Sequence, residues 1–295
     1  MALLTFEVSS VGYLAEHGPR EALRFWVHSH FQHALNLSSA SGELLTLLSP
    51  RFQNLPTAIR IVTPPGWDWR HQSRPREPVV LEGNVLRAAR WRADLSRAPC
   101  WRPSAEKAPE ACSLDAFLGV YPALASQLIT YCRQREVRSN LQLLPGWPLD
   151  GRAPRLDVAD EKPALDAAVA ELIGFGTGLT PDGDDYLLGY LAALQPWQHN
   201  EVISAHLKLL RPAIKSQLHR TTSISRHYLT LGLQGHYSEP IDHLISILIR
   251  GSQVPDIAIA ANKVMEFGAS SGVDCLGGFL HGIRSLQTVA QEETR

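Results

Sequence analysis

The sequence predicts an α+β fold in which a β-rich N-terminal domain, either a small barrel or an open sheet, precedes a mainly α-helical C-terminal domain. Two observations support this prediction. Short segments of β-formers alternate with turn residues through the first hundred positions, and helical periodicity runs from Ser113 onward. A length of 295 residues accommodates two modest domains. We therefore expect domains over residues 1–105 and 113–295.

Strand-like segments fill the N-terminal domain. Four of them are rich in β-branched, aromatic or leucine residues and end at turn residues, namely 25–27, 43–48, 58–63 and 78–86. The run 38–42 predicts a hairpin connection, and 64–66 predicts the end of a strand. Nine arginines and four acids lie between positions 51 and 97. They form either a solvated strand face or an arginine set for a carboxylate or phosphate, which could clamp a ligand.

Helical segments separated by Gly, Pro, Ser or Thr fill the C-terminal domain. The predicted helices are 114–135, 162–173, 181–194, 201–219, 223–234, 241–250, 256–267 and 273–286. The stretch 101–112 is the expected linker between the domains. The proline-containing loop 144–160 is a second expected break in regular structure.

Composition excludes several function classes. The 28 basic and 29 acidic residues provide no overall field for nucleic acid or an anionic membrane. No run approaches the roughly 20 apolar residues that span a bilayer, and the first residues lack a signal-peptide pattern, so we expect a cytoplasmic protein. The four cysteines are scattered without metal-ligand or disulfide spacing, and we expect them to be thiols.

A glycine-rich turn between two predicted helices is the most informative segment. Gly174, Gly176 and Gly178 alternate with other residues, and three such glycines exceed what a helix C-cap needs. Thr180 is expected to be the N-cap of the next helix, with Pro181 as its first residue. The free backbone donors there favour an anion, and the hydroxyl of Thr177 adds another donor. The turn is therefore a predicted ligand-binding site.

Acids follow this turn at once. Asp184 and Asp185 offer hard oxygen ligands, so they are expected to hold Mg²⁺ or a similar cation that bridges to a bound phosphate. Asp184 shares the apolar helix face with Leu187 and Leu191, where a carboxylate needs a partner. Whether any cofactor is present stays open at this point, and the alternative is a capped helix whose aspartates face water.

A second cluster near the C-terminus repeats this arrangement. Ser270, Ser271 and Gly272 precede a predicted helix that carries Asp274 in its first turn. The pair 277–278 places two glycines on the same helix, which indicates either close helix packing or a notch for a ligand. We predict that the two turns meet in space as one polar pocket. In the segment 220–227, an N-cap role is favoured over a ligand role.

The stretches just described resemble the AllH-type family, long regarded as a domain of unknown function. The family's Gly-x-Gly-x-Gly-Leu-Thr-Pro-x-Gly-Asp-Asp hallmark is matched from Gly174 through Asp185, and its Ser-Ser-Gly-x-Asp stretch from Ser270 through Asp274. The resemblance extends more loosely over most of the chain. At position 182 the family pattern usually has Ser, and the extra charge of Asp182 disfavours a bare phosphate there.

The resemblance implies a subunit of an oxamate carbamoyltransferase of allantoin and purine degradation. This enzyme interconverts oxalurate and phosphate with oxamate and carbamoyl phosphate, and it requires FdrA-like and AllG-like partner subunits. We assign catalytic roles to Asp184, Asp185 and Asp274 from their motif positions alone. Two alternatives remain open: a non-catalytic assembly or regulatory subunit, and a stand-alone Mg²⁺-dependent hydrolase.

Overall fold

The computed structural model describes residues 3–16, 22–104, 114–137, 139–141, 156–251 and 253–293. The chain divides into two compact units, Met1–Pro103 and Ser104–Arg295. The predicted domain limits at residues 105 and 113, and most of the predicted connections 101–112 and 144–160, lie outside the described residues. The predicted α+β class is confirmed, since the strands lie in the first unit and the long helices in the second.

Nine strands form the described part of the N-terminal unit. In chain order they are β1 (Leu4–Gly12), β2 (Leu23–His30), β3 (Ala34–Ser39), β4 (Leu44–Leu48), β5 (Ala58–Val62), β6 (Pro78–Glu82), β7 (Val85–Arg87), β8 (Trp91–Asp94) and β9 (Cys100–Trp101). Their order in the sheet is β5-β4-β3-β2-β6-β7-β8-β1-β9, and β5 also pairs with β1. That pairing closes eight strands into a barrel, with β9 added beside β1. Of the two predicted alternatives, the barrel is therefore the one found.

Along the barrel strands, apolar side chains that fill the interior alternate with side chains on the outer surface. In β2, for example, Phe25 and Val27 are buried while Trp26 is exposed. The interior is filled largely by aromatic and branched residues, among them Phe6, Trp69 and Trp91. Trp69 begins α1 (Trp69–Gln72), a short helix whose N-cap side chain accepts a hydrogen bond from the Arg70 backbone N–H.

The helical unit contains nine helices in its described part. They are α2 (Leu114–Gly119), α3 (Tyr121–Arg135), α4 (Lys162–Leu172), α5 (Asp182–Leu194), α6 (Glu201–Gln217), α7 (Ser223–Leu233), α8 (Glu239–Ile249), α9 (Val254–Met265) and α10 (Ser271–Glu293). Seven of the eight predicted helical segments are confirmed as single helices with shifted ends, and the largest shift is at α10, which continues to Glu293. The first prediction is one helix, but α2 and α3 are separate because the chain breaks at Val120.

Helix α5 lies at the centre of the helical unit. Every residue of α5 except Leu188 is buried, and its main neighbour is α10. The two helices touch through glycines: a Cβ placed on Gly189 would lie 1.8 Å from the carbonyl oxygen of Cys275, and one on Gly278 would lie 1.9 Å from that of Tyr186. Such contacts leave no room for a methyl group. The two helix starts are thereby held side by side.

Two further expectations concern the whole chain. Among the residues that the structure describes, no helix combines the length and the hydrophobicity needed to cross a membrane. The three described cysteines, Cys100, Cys132 and Cys275, are free thiols. The fourth, Cys112, lies outside the described residues.

Candidate ligand site at the starts of α5 and α10

The glycine turn needs its three glycines for backbone conformation. Gly174, Gly176 and Gly178 have φ angles of +74°, +110° and +89°, which other residues rarely adopt. The space beside the first two is filled by protein, because a Cβ on Gly174 would meet the Arg220 carbonyl oxygen at 2.7 Å and one on Gly176 the Asp182 carboxylate at 2.6 Å. Beside Gly178, no atom of the described residues lies within 4 Å of the position of a Cβ.

The start of α5 differs from the prediction by one residue. Pro181, in an extended conformation, is the N-cap, and the helix begins at Asp182. The expectation that Thr180 caps the helix is wrong, because the Pro181 carbonyl already accepts from the Asp184 backbone N–H at 2.9 Å. The Thr180 hydroxyl is instead 2.8 Å from the hydroxyl of Ser271 in the second cluster.

The two turns meet in space, as the sequence predicts. The Thr180–Ser271 contact joins positions 91 residues apart. The start of α7 joins them as well: the Thr222 hydroxyl donates to the Leu179 carbonyl and also accepts from the Ser225 backbone N–H, as the predicted N-cap. The prediction that the two turns lie together is thus confirmed. That a ligand binds between them stays a prediction.

Asp184 is buried and fully engaged by the protein. Its Oδ1 accepts from the Gly174 backbone N–H at 2.9 Å, and its Oδ2 accepts from the hydroxyls of Thr221 and Ser225. Burial raises the pKa of Asp184, and these three donors partly offset the shift. The expectation that a carboxylate on the apolar face needs a partner is confirmed. These contacts tie the glycine turn to α7.

Asp182 is held by a different segment. Its Oδ2 accepts from the Asn140 backbone N–H at 2.7 Å and from the Asn140 side-chain amide at 3.0 Å. Ser139, the preceding residue, donates to Oδ1 of Asp274. The described segment 139–141 therefore contacts acids from both turns.

Asp185 and Asp274 differ from the other two acids, because each leaves one oxygen unused. Oδ2 of Asp185 and Oδ2 of Asp274 are buried and have no hydrogen-bond partner among the described residues. Burial raises the pKa of Asp274 to about 7 and raises that of Asp185 well above its usual range. Asp274 is among the groups that raise the pKa of Asp185, and Asp182 is among those that raise the pKa of Asp274. Both carboxyls therefore favour the protonated form more than an exposed aspartate does.

The two predicted magnesium ligands, Asp184 and Asp185, differ in whether their oxygens are available. Both oxygens of Asp184 accept hydrogen bonds from the protein, whereas Oδ2 of Asp185 has no partner in the part of the chain that the structure describes. Within the described part of the chain, no three His, Cys, Asp or Glu side chains are arranged to hold a metal ion. Magnesium binding at Asp184 and Asp185 stays a prediction.

In the second cluster, two of the small residues allow close packing between helices. A Cβ on Gly272 would lie 2.0 Å from the Val264 carbonyl oxygen, so this glycine permits close contact with α9. The Ser270 carbonyl accepts from the Asp274 backbone N–H at 2.9 Å. Gly278 faces α5 rather than a cavity, which supports the packing alternative for this glycine.

Below the acids, the contact between α5 and α10 contains buried polar groups. Tyr186 shares a hydrogen bond of 2.7 Å with Nδ1 of His281, and the Tyr190 hydroxyl lies 3.1 Å from Nε2 of His206. Burial lowers the pKa of both histidines to about 4, so both are neutral at physiological pH. His281, two helical turns after Asp274, is thus hydrogen-bonded to Tyr186.

Sequence reasoning missed four residues that hold the acids: Ser139, Asn140, Thr221 and Ser225. The last two lie in the hydroxyl-rich segment 220–227, where only capping was expected. The first two lie in an irregular stretch after α3. Long-range side-chain contacts leave no periodic pattern in a sequence, so only the abundance of hydroxyls near 221–225 gave a signal.

Replacing Asp274 with Asn should make the protein more stable at alkaline pH. With a folded-state pKa of about 7 against an ordinary value of 3.8, Asp274 holds a proton in the folded state that the unfolded chain has already lost. Stability is therefore lost as pH rises between these values. Because Asn cannot ionise, we expect the stability advantage of Asp274→Asn to grow by about 2 to 3 kcal/mol from pH 5 to pH 8. Urea denaturation at both pH values measures it.

The control is Asp256→Asn, which changes an exposed aspartate in the first turn of α9. Its stability difference from the parent should be the same at pH 5 and pH 8. An Asp274→Asn advantage that stayed constant or shrank over this range would contradict the assignment.

Comparison with protein families covers both units. Residues 6–100 match the model of the AllH family N-terminal domain. Residues 172–283 match the model described as oxamate carbamoyltransferase subunit AllH, and this range includes the glycine turn, the start of α7 and the start of α10. No solved structure matches the chain. Because the two matches cover most of its length, the chain belongs to the AllH family.

Proposed function

We propose that this chain is the oxalurate- and oxamate-processing subunit of a cytoplasmic carbamoyltransferase in allantoin catabolism, and that it binds its small ligand where the two turns meet. The family description supports a carbamoyltransferase subunit. The location is supported by two buried carboxylate oxygens, on Asp185 and Asp274 beside the glycine turn, which have no hydrogen-bond partner among the described residues. A native protein rarely leaves such atoms unpaired without a functional reason.

The proposed roles follow from the contacts. Carbamoyl transfer joins the amide nitrogen of oxamate to the carbamoyl carbon and releases phosphate, so positioning and electrostatic stabilisation supply most of the rate. Asp185 and Asp274 orient the reacting group. The open side of Gly178 admits the ligand, and the hydroxyl of Thr177 donates to it. Asp184 keeps the turn in place through the Gly174 backbone N–H.

Partner subunits of the FdrA-like and AllG-like kinds are expected to complete the enzyme. The subunit description of the family supports a multi-protein complex. Phe175 and Leu179, on the glycine turn itself, are 44% and 46% exposed, and apolar side chains beside a site are typical of a surface that a partner covers. The same observation favours the assembly-subunit alternative, so the two must be separated by experiment.

Phosphorolysis of oxalurate tests the proposal. The chain purified together with its partner subunits should form carbamoyl phosphate and oxamate, and the chain alone should not. Asp185→Asn in the complex should lower turnover by at least about tenfold, because one orienting carboxyl is lost. Asp256→Asn, the exposed control, should leave turnover unchanged.

Other outcomes identify the alternatives. Full turnover by a complex that carries Asp185→Asn would favour the assembly role. Mg²⁺-dependent hydrolysis by the isolated chain would favour the hydrolase. A thermal shift with carbamoyl phosphate, oxamate, oxalurate or Mg²⁺ reports binding directly, since a ligand at 100 times its dissociation constant stabilises the protein by about 2.7 kcal/mol.

A further inference from the structure

The chemistry of the Asp185–Asp274 pair restricts what can bind to it. Asp274 is fully buried and Asp185 is 7% exposed, and each has an oxygen without a partner among the described residues. An unpaired buried acceptor costs about 1 to 3 kcal/mol, so two at one place indicate that a ligand group satisfies them.

The charge of the surroundings excludes an anion at this point. Asp182, Asp184, Asp185 and Asp274 all lie at the junction, and the groups that lower the pKa of Asp185 and Asp274 are hydroxyls rather than lysines or arginines. A phosphate or carboxylate placed against the unpaired oxygens would add like charge in a buried setting. The ligand group that meets them must therefore carry N–H or O–H donors.

The two unpartnered oxygens set a second requirement, because each of them needs its own donor. A primary amide meets it without adding charge, since its NH₂ group carries two N–H donors on one nitrogen. Oxamate, oxalurate and carbamoyl phosphate all contain a carbamoyl or amide NH₂ group beside a carbonyl.

We infer that Asp185 and Asp274 together bind the primary amide group of the ligand, and that its carboxylate or phosphate end lies away from them. This inference rests on the proposed function and specifies which end of the substrate meets the acids. Ser139 donates to Oδ1 of Asp274, so Oδ2 of the same carboxyl stays available to the ligand's donor.

Oxamate and oxalate test the inference, since they differ only by NH₂ in place of a carboxylate oxygen. With the chain in complex with its partner subunits, oxamate should raise the melting temperature. Oxalate should bind at least about tenfold more weakly, because the site would face an extra anion and lose its donors. N,N-Dimethyloxamate, which keeps the carboxylate and carbonyl but has no N–H, should be rejected to a similar degree.

The Asp274→Asn variant tests the role of the pair itself. It removes the charge and places an N–H donor opposite the ligand, so the ratio of oxamate to oxalate affinity should fall to about threefold or less. A merely structural role for Asp274 would change both affinities together and leave this ratio intact. Asp256→Asn should also leave the ratio as in the parent.

The failures of the two proposals can be told apart. Equal binding of oxamate and oxalate by the parent complex, or an unchanged ratio in Asp274→Asn, would overturn the amide inference and leave the proposed function standing. Absence of binding by oxamate, oxalurate and carbamoyl phosphate, together with no oxalurate phosphorolysis, would overturn the proposed function and the inference with it.

Discussion

Replacing Gly278 with Ala should destabilise the helical unit by about 3 to 5 kcal/mol or prevent it from folding. The new methyl group would lie 1.9 Å from the carbonyl oxygen of Tyr186, and main-chain atoms cannot rotate away as a flexible side chain can. Helices α5 and α10 would have to separate along the contact that holds the two turns together. Urea denaturation followed by circular dichroism at helical wavelengths measures the loss.

The sign of this effect is itself informative. Inside a helix, Ala is ordinarily more favourable than Gly by about 0.5 to 1 kcal/mol. Gly119→Ala is the matched control, because Gly119 is exposed in α2 and has no atom near the position of a Cβ. We expect Gly119→Ala to be neutral or slightly stabilising. A Gly278→Ala protein as stable as the parent would refute the close contact of the two helices.

Replacing Asp184 with Ala should cost about 2 to 4 kcal/mol of stability and loosen the glycine turn. The change leaves the Gly174 backbone N–H and the hydroxyls of Thr221 and Ser225 without their common acceptor. Thermal unfolding measures the loss. Hydrogen exchange at the Gly174 amide reports the loosening, because that amide donates directly to Asp184.

Asp184→Asn separates the structural role from a catalytic one. Its remaining carbonyl oxygen can still accept from Gly174, and hydroxyl groups can rotate to accept from its NH₂, so we expect a loss below about 1 kcal/mol. If this variant folds normally but the complex loses activity, the carboxylate charge of Asp184 acts in the chemistry. If Asp184→Ala is as stable as Asp256→Ala, its exposed control, the three hydrogen bonds contribute little.

Much of the fold could be predicted because it depends on local patterns. The helices α4 to α10 follow from apolar spacing and from punctuation by Pro, Gly and Ser, and the strands from short β-rich runs. The meeting of the two turns could also be predicted, since both carry small residues, hydroxyls and an acid at a helix start. Closure of the barrel could not, because the pairing of β1 with β5 depends on strands some fifty residues apart.

The site was less predictable than the fold. Motif spacing identified Asp184, Asp185 and Asp274 as a group. It could not show that both oxygens of Asp184 accept hydrogen bonds from the protein, while Asp185 and Asp274 each keep one oxygen without a partner among the described residues. That difference arises from Thr221 and Ser225, whose hydroxyls reach Asp184 only after the chain has folded. The start of α5 lies at Asp182 rather than at Pro181, and the Thr180 hydroxyl contacts Ser271 instead of capping the helix.

The contact between Thr180 and Ser271 has a consequence for how this protein is made. The two residues are 91 positions apart. At about 5 to 20 residues per second, a ribosome needs roughly 5 to 20 seconds to synthesise the intervening chain. Throughout that interval α5, whose surface is almost wholly apolar or tightly packed in the finished protein, has not yet met α10. During this interval the face of α5 that packs against α10 in the finished protein therefore lacks that cover.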